Sequence, residues 1–197
     1  MATTETVSQM PTPEPVSLSY LLTAQRRFPV PMPKTYLSEK CINVRCIVEV
    51  VVTHVSTTLS EHLGASFRES LKEHTSWIEH FYDVLIRSVS ITIGQLLHSV
   101  ILFDRAVESD KMRRTSPVPV PSFVTEYTYG TVLLCSVIIA HKMNEDNCYT
   151  NRYFSYLYHV PLEYLNSSEV NLFEALSYST SVNPDDLPTY LSKLVSR

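Results

Sequence analysis

Seven histidines are the residues most able to bind a metal or carry a proton: His54, His62, His74, His80, His98, His141 and His159. A helical zinc site needs two histidines one turn apart and a third ligand in reach. His54 and His62 are eight apart and His74 and His80 six apart, with no carboxylate spaced to complete a set. They read as scattered core and surface histidines, with His141 a satisfied core residue at the end of an apolar helix. Cys41, Cys46, Cys135 and Cys148 form no CxxC pair. They read as reduced thiols of an intracellular protein, a disulfide being the less favoured alternative. No serine elbow or cysteine-nucleophile context occurs. Glu145-Asp146 reads as a solvated helix cap rather than a metal fragment. Arg113-Arg114 could meet a phosphate but more often marks a charged loop, and Ser116 before Pro117 is weak evidence for a kinase site. No catalytic set, metal or cofactor is expected, and the chain is not read as an enzyme.

The elements holding these residues read as helices. Three glycines in 197 residues argue against phosphate loops and tight-turned sheets. Residues 1–37 carry many of the prolines and read as a tail or extended arm, ending in the apolar stretch Arg27 to Pro33. From residue 38 to 63, Val44, Ile47, Val48, Val51, Val55, Leu59 and Leu63 form one stripe. The run 46–52 is β-branched and suits a strand on propensity, but length and the sustained stripe favour a helix, with Gly64 its C-cap. A second helix, 75–89, starts at a Thr75 or Ser76 cap. A third, 91–107, and a fourth, 129–143, are almost wholly apolar, as buried central helices are. A loop over 108–128, with Pro117, Pro119 and Pro121, separates them. Helices follow at 151–158, at 162–178 with Leu165, Val170, Leu172, Phe173 and Leu176 inward, and after Asn183-Pro184, running to Leu194. The expectation is an all-α domain over 38–195.

Hydrophobic residues make up 44%, enough for a core, and the net charge of -4 gives no general attraction to nucleic acid or to an anionic membrane. No apolar run is long enough to span a membrane. An intracellular setting, cytoplasmic or nuclear, is expected.

From Tyr82 onward the order of motifs resembles the cyclin family. Ile101-Leu102-Phe103-Asp104-Arg105 is similar to that family's Asp-Arg helix end. Gly130 to Asp146 is similar to its central helix, Asn151 to Phe154 to the next short one, and Val160 to Glu169 to the segment carrying Leu-Asn before a glutamate. Phe173 to Tyr178 and Val182 to Leu187 resemble the last box helix and its exit. The subgroup it resembles is the single-box, phosphate-pathway (P/U-type) cyclins. Departures are the long proline-rich loop, Leu176-Ser177-Tyr178 where the family has Leu-Asp-Phe, and the absent Met-Arg opening of animal cyclins.

The resemblance implies a five-helix box with a flanking helix at each end. It implies a regulatory subunit, monomeric when free, that binds and activates a cyclin-dependent protein kinase as a heterodimer. An adaptor of the same fold that binds proteins without activating a kinase is the alternative. Lys142 and Glu169 match the charged pair that brackets the kinase interface, with Phe173 and Tyr178 as apolar contacts on the helix of Glu169. Asp104 and Arg105 are expected to be structural, since a charge at the end of a buried helix needs a partner.

Overall fold

The computed structural model describes residues 39–117 and 120–196, and the side chains from Val44 onward except that of Cys46. The arm over 1–37, the helix start at Ser38 and the thiols of Cys41 and Cys46 lie outside what is described. The described residues form eight α-helices and no strand. No helix among them is long and apolar enough to cross a membrane.

Helix α1, Glu39–Leu63, buries Val44, Val51, Val55 and Leu59. The valine-rich run 46–52 is helical. A stripe this long recovers more from packing than β-branched side chains lose in helix propensity. Gly64, at φ 83, ends α1 with its amide on the Ser60 carbonyl at 3.2 Å. A short α2, Ala65–Glu69, then seats Phe67 in the core. Helix α3, Leu71–Ser88, starts four residues before Thr75. Thr75 caps nothing there, and its hydroxyl donates instead to Ser56 Oγ of α1 at 3.2 Å.

Helix α4, Ile93–Arg114, opens with a capping box. Gln95 N donates to Thr92 Oγ1 at 3.2 Å, and Thr92 N donates to Gln95 Oε1 at 2.8 Å. It runs seven residues past the expected end at 107, so the loop begins at 115, not 108. The polar stretch Asp110 to Arg114 stays helical because Asp110 turns inward and is fully partnered. Its carboxylate accepts from His62 Nε2 of α1 at 2.9 Å, Ser122 Oγ at 2.5 Å, Phe123 N at 2.7 Å and Arg114 Nε at 3.2 Å. A buried charge is tolerated on those terms, and the segment after the prolines is pinned back on the helix.

Helix α5, Tyr129–Asn144, is the centre: each residue from Tyr129 to His141 is buried. It packs along α4 more extensively than any other pair of helices does, and also against α7. Helices α6, Asn151–Tyr158, and α7, Leu162–Ala175, follow. Helix α7 stops three residues short of Tyr178. Ser177 and Tyr178 take left-handed backbone, φ 51 and 59, and the Tyr178 amide bonds the Phe173 carbonyl at 2.8 Å. A 3-10 turn, Pro184–Asp186, leads into α8, Leu187–Val195, which closes on α1 and α4.

Candidate functional site

Lys142 lies in the last turn of α5 and Glu169 in the third turn of α7. The α5–α7 packing brings them together, and Lys142 Nζ donates to both carboxylate oxygens of Glu169, at 2.7 and 2.9 Å. Glu169 takes a further bond at 2.6 Å from Nδ2 of Asn151, the first residue of α6, whose Nδ2 also donates to Asn166 Oδ1 at 2.9 Å. The Glu169 side chain is 9% exposed and that of Lys142 34%, so the carboxylate is fixed below the surface and the ammonium reaches solvent. Asn151 Oδ1 is buried with no partner. That unsatisfied acceptor is the cost of turning the amide nitrogen to the carboxylate.

Apolar side chains flank the pair along α5, α7 and the turn after α7. Phe173 is half-buried one turn beyond Glu169 on α7. Val170, read from the sequence as inward, is instead 54% exposed. Residues 166, 169, 170 and 173 share one face of a helix turning every 3.6 residues, and Val170 lies at its outer edge. Met143, next to Lys142, is 51% exposed, and Tyr178 is 69% exposed. Tyr178 is not on the helix of Glu169, as expected from the sequence, but on the left-handed turn after it. The sequence reading assigned no site role to Asn151 or Met143 and placed Val170 inward. Val170 shares the helical face of Glu169 and Phe173, which its spacing shows; the roles of Asn151 and Met143 need the fold.

Asp104 and Arg105 sit in the middle of α4, not at its end. Asp104 accepts from His54 Nε2 of α1 at 2.9 Å and from the Tyr190 hydroxyl of α8 at 2.5 Å. Arg105, exposed, donates from Nη1 to the carbonyls of Ser179 and Ser181, each at 3.1 Å. These bonds join α1, α4, α8 and the chain after α7. They give both residues work in holding elements together.

His141 is not the satisfied core residue expected. Both its ring nitrogens are buried without a hydrogen bond, and the ring stacks on Tyr149 at 5.5 Å. Burial lowers its pKa, as it does those of His62, His74 and His98. The Cys135 thiol is pushed far up by burial, and Cys148 is an exposed free thiol. Among the described residues no three His, Cys, Asp or Glu side chains gather as a metal site would require.

A family model described as Cyclin matches residues 53–180. No curated protein and no solved structure matches the chain.

Proposed function

The chain belongs to the cyclin family, and from that premise we propose that it is a regulatory subunit that binds and activates a cyclin-dependent protein kinase. The observation that carries the reading is the Lys142–Glu169 pair, locked before any partner arrives and set among Met143, Val170, Phe173 and Tyr178. Charged anchors on an apolar surface make strong hydrogen bonds to main-chain groups of a partner, because water is displaced around them. The chain supplies no chemistry. It binds the active arrangement of the kinase better than the inactive one, drawing the kinase's glutamate-bearing helix inward and completing the lysine–glutamate pair that positions nucleotide. The free chain is a monomer in this reading and the complex a heterodimer, in cytoplasm or nucleus. Leu165-Asn166, ahead of Glu169, favours the P/U-type subgroup.

The test is titration of a panel of purified cyclin-dependent kinases with wild type, Lys142→Ala and Glu169→Gln, with phosphorylation of a model substrate measured in parallel. Loss of an interface anchor costs about 2 kcal/mol or more, roughly 30-fold in affinity. Both variants should weaken binding by that much, and Lys72→Ala, on the exposed start of α3, should not. Glu169→Gln is used because truncating a carboxylate that takes three hydrogen bonds would disturb folding as well. Wild-type affinity in both variants refutes the interface. Binding without stimulation of the kinase favours the adaptor.

A further inference from the structure

A second surface lies on the far side of α7. A groove of about 450 Å³ opens between the end of α4, the segment 123–128, α5 and α7. Its floor is Val132, Cys135 and Leu172, all buried. On α7 the groove is faced by Ser167, Asn171 and Glu174. At 3.6 residues per turn these lie roughly opposite the face carrying Glu169 and Phe173. A partner in the groove and a kinase on the Lys142–Glu169 face therefore do not compete for the same side of α7.

Three features give the groove the chemistry of a binding site. Thr131 is 5% exposed, yet its hydroxyl makes no hydrogen bond among the described residues and opens on the groove it lines. The hydroxyl is open to a hydrogen-bonding group of a ligand. Arg113 is held over the Phe123 ring, 5.5 Å from its centroid, and pairs with no carboxylate among the described residues. Its neighbour Arg114, by contrast, is consumed in holding Asp110, Ser122 and Val124. Glu174, also on the lining, is exposed and equally without an ion pair. The groove thus offers one guanidinium and one carboxylate not paired with each other, about an apolar floor. Its volume is in the range of ligand sites, about 300–1,000 Å³.

We propose that this groove docks an extended segment of a second protein that sets an acidic side chain on Arg113, an apolar side chain on the Val132–Cys135–Leu172 floor and a basic side chain against Glu174. A carboxylate on the exposed Arg113 guanidinium makes a charge-assisted hydrogen bond. The opposite charge at Glu174 selects a mixed-charge segment over a purely acidic one. Asn171, whose side chain makes no hydrogen bond among the described residues, is placed to take main-chain groups of the segment.

The test pans a random peptide library displayed on phage against the full chain, then measures the recovered peptides by fluorescence polarisation. Peptides with an acidic, an apolar and a basic residue in close succession should be enriched. Arg113→Glu and Glu174→Lys should each weaken them about tenfold or more. Peptides with the acidic residue changed to lysine should recover binding on Arg113→Glu. Lys142→Ala, on the other face, should leave the affinity unchanged even if no kinase is found, so the two readings fail separately. No enrichment overturns the proposal. So do peptides that bind the charge-reversed chains like wild type, and so does a self-associated chain in sedimentation that Arg113→Glu dissolves, which would make the occupant a second copy. If Arg113→Glu fails to fold, Glu174→Lys and Asn171→Ala decide the matter.

Discussion

A methyl group added at Gly130 would lie 2.7 Å from Cη2 of Trp77 and 3.2 Å from Cζ2. Trp77 is itself 6% exposed and stacked on Phe81, so moving its ring away breaks that packing. Gly130→Ala should therefore lower stability despite the gain of about 1 kcal/mol in helix propensity. Overpacking of this kind costs about 1–3 kcal/mol. Thermal melts check it, and an unchanged or raised Tm would mean that α3 and α5 can move apart at no cost. At this scale the sequence was readable where a residue's chemistry is local. The resemblance marked Lys142 and Glu169, and the structure joins them. Asn151 was unreadable because its bond to Glu169 crosses from α6 to α7. His141 was misread for a related reason. Its place near the end of a buried helix was visible, but the stacked Tyr149 that covers it, and the missing hydrogen-bond partners, were not.

The reach of α4 depends on one carboxylate. Asp110 ties the last turns of α4 to His62 on α1 and to the segment 122–124. Asp110→Ala removes the acceptor from four hydrogen-bonded donors and from the ion pair with Arg114. Loss of one partner from a buried ionic cluster costs about 3–5 kcal/mol. The loss should be concentrated at 120–128, read as faster amide exchange at Phe123 and Val124 than at the centre of α5. Uniform exchange changes would count against this tether. A smaller effect is expected at the other end of α4. Thr92→Ala removes the capping box and should cost about 1 kcal/mol by chemical denaturation. The Thr-x-x-Gln signature was legible at 92–95 and was passed over for an apolar start at Ile91. The end of α4 was not legible: a run of Asp, Lys and two Arg followed by prolines resembles a loop until a partner for Asp110 is known. Helix α7 was overextended for the opposite reason. Leu176 is buried as the apolar pattern requires, and the pattern does not register that Ser177 and Tyr178 have already left the helix.

For the whole molecule, acid is the condition that most directly opposes this fold. His62, His74, His98 and His141 all have pKa values below the ordinary 6.5, burial being the largest cause in each. At His62 the positive charge of Arg114 adds to burial, and together they outweigh the attraction of Asp110. Burial acts to raise the Asp110 pKa, but bonds from Ser122, Phe123 N, Val124 N and His62 outweigh it and lower the value. A lowered folded-state pKa means that the unfolded chain binds more protons, so stability rises with pH through the interval between the folded and unfolded values. The histidine contribution is whole above about pH 7 and is lost as pH falls through about 6.5 and below. The Asp110 contribution goes at lower pH, below the ordinary carboxylate range. Tm should fall from about pH 7 to 5, and His62→Gln should flatten that fall. A Tm that rises on acidification over this interval would contradict the burial of these rings. The all-helical architecture was legible because two nearly unbroken apolar helices can be satisfied only by a jacket of amphipathic ones. The order in which the jacket closes was not.

That order bears on synthesis. The Tyr190 hydroxyl on α8 reaches Asp104, 86 residues earlier in the chain, and its ring meets that of His54 on α1 edge-on at 6.3 Å. On the ribosome, α1 and α4 emerge well before the helix that covers them. Until α8 is released, Asp104 lacks one of its two bonding partners from other helices, and part of the surface of α1 and α4 stays wet. The covering of α1 and α4 therefore finishes only when the last helix of the described chain is in place.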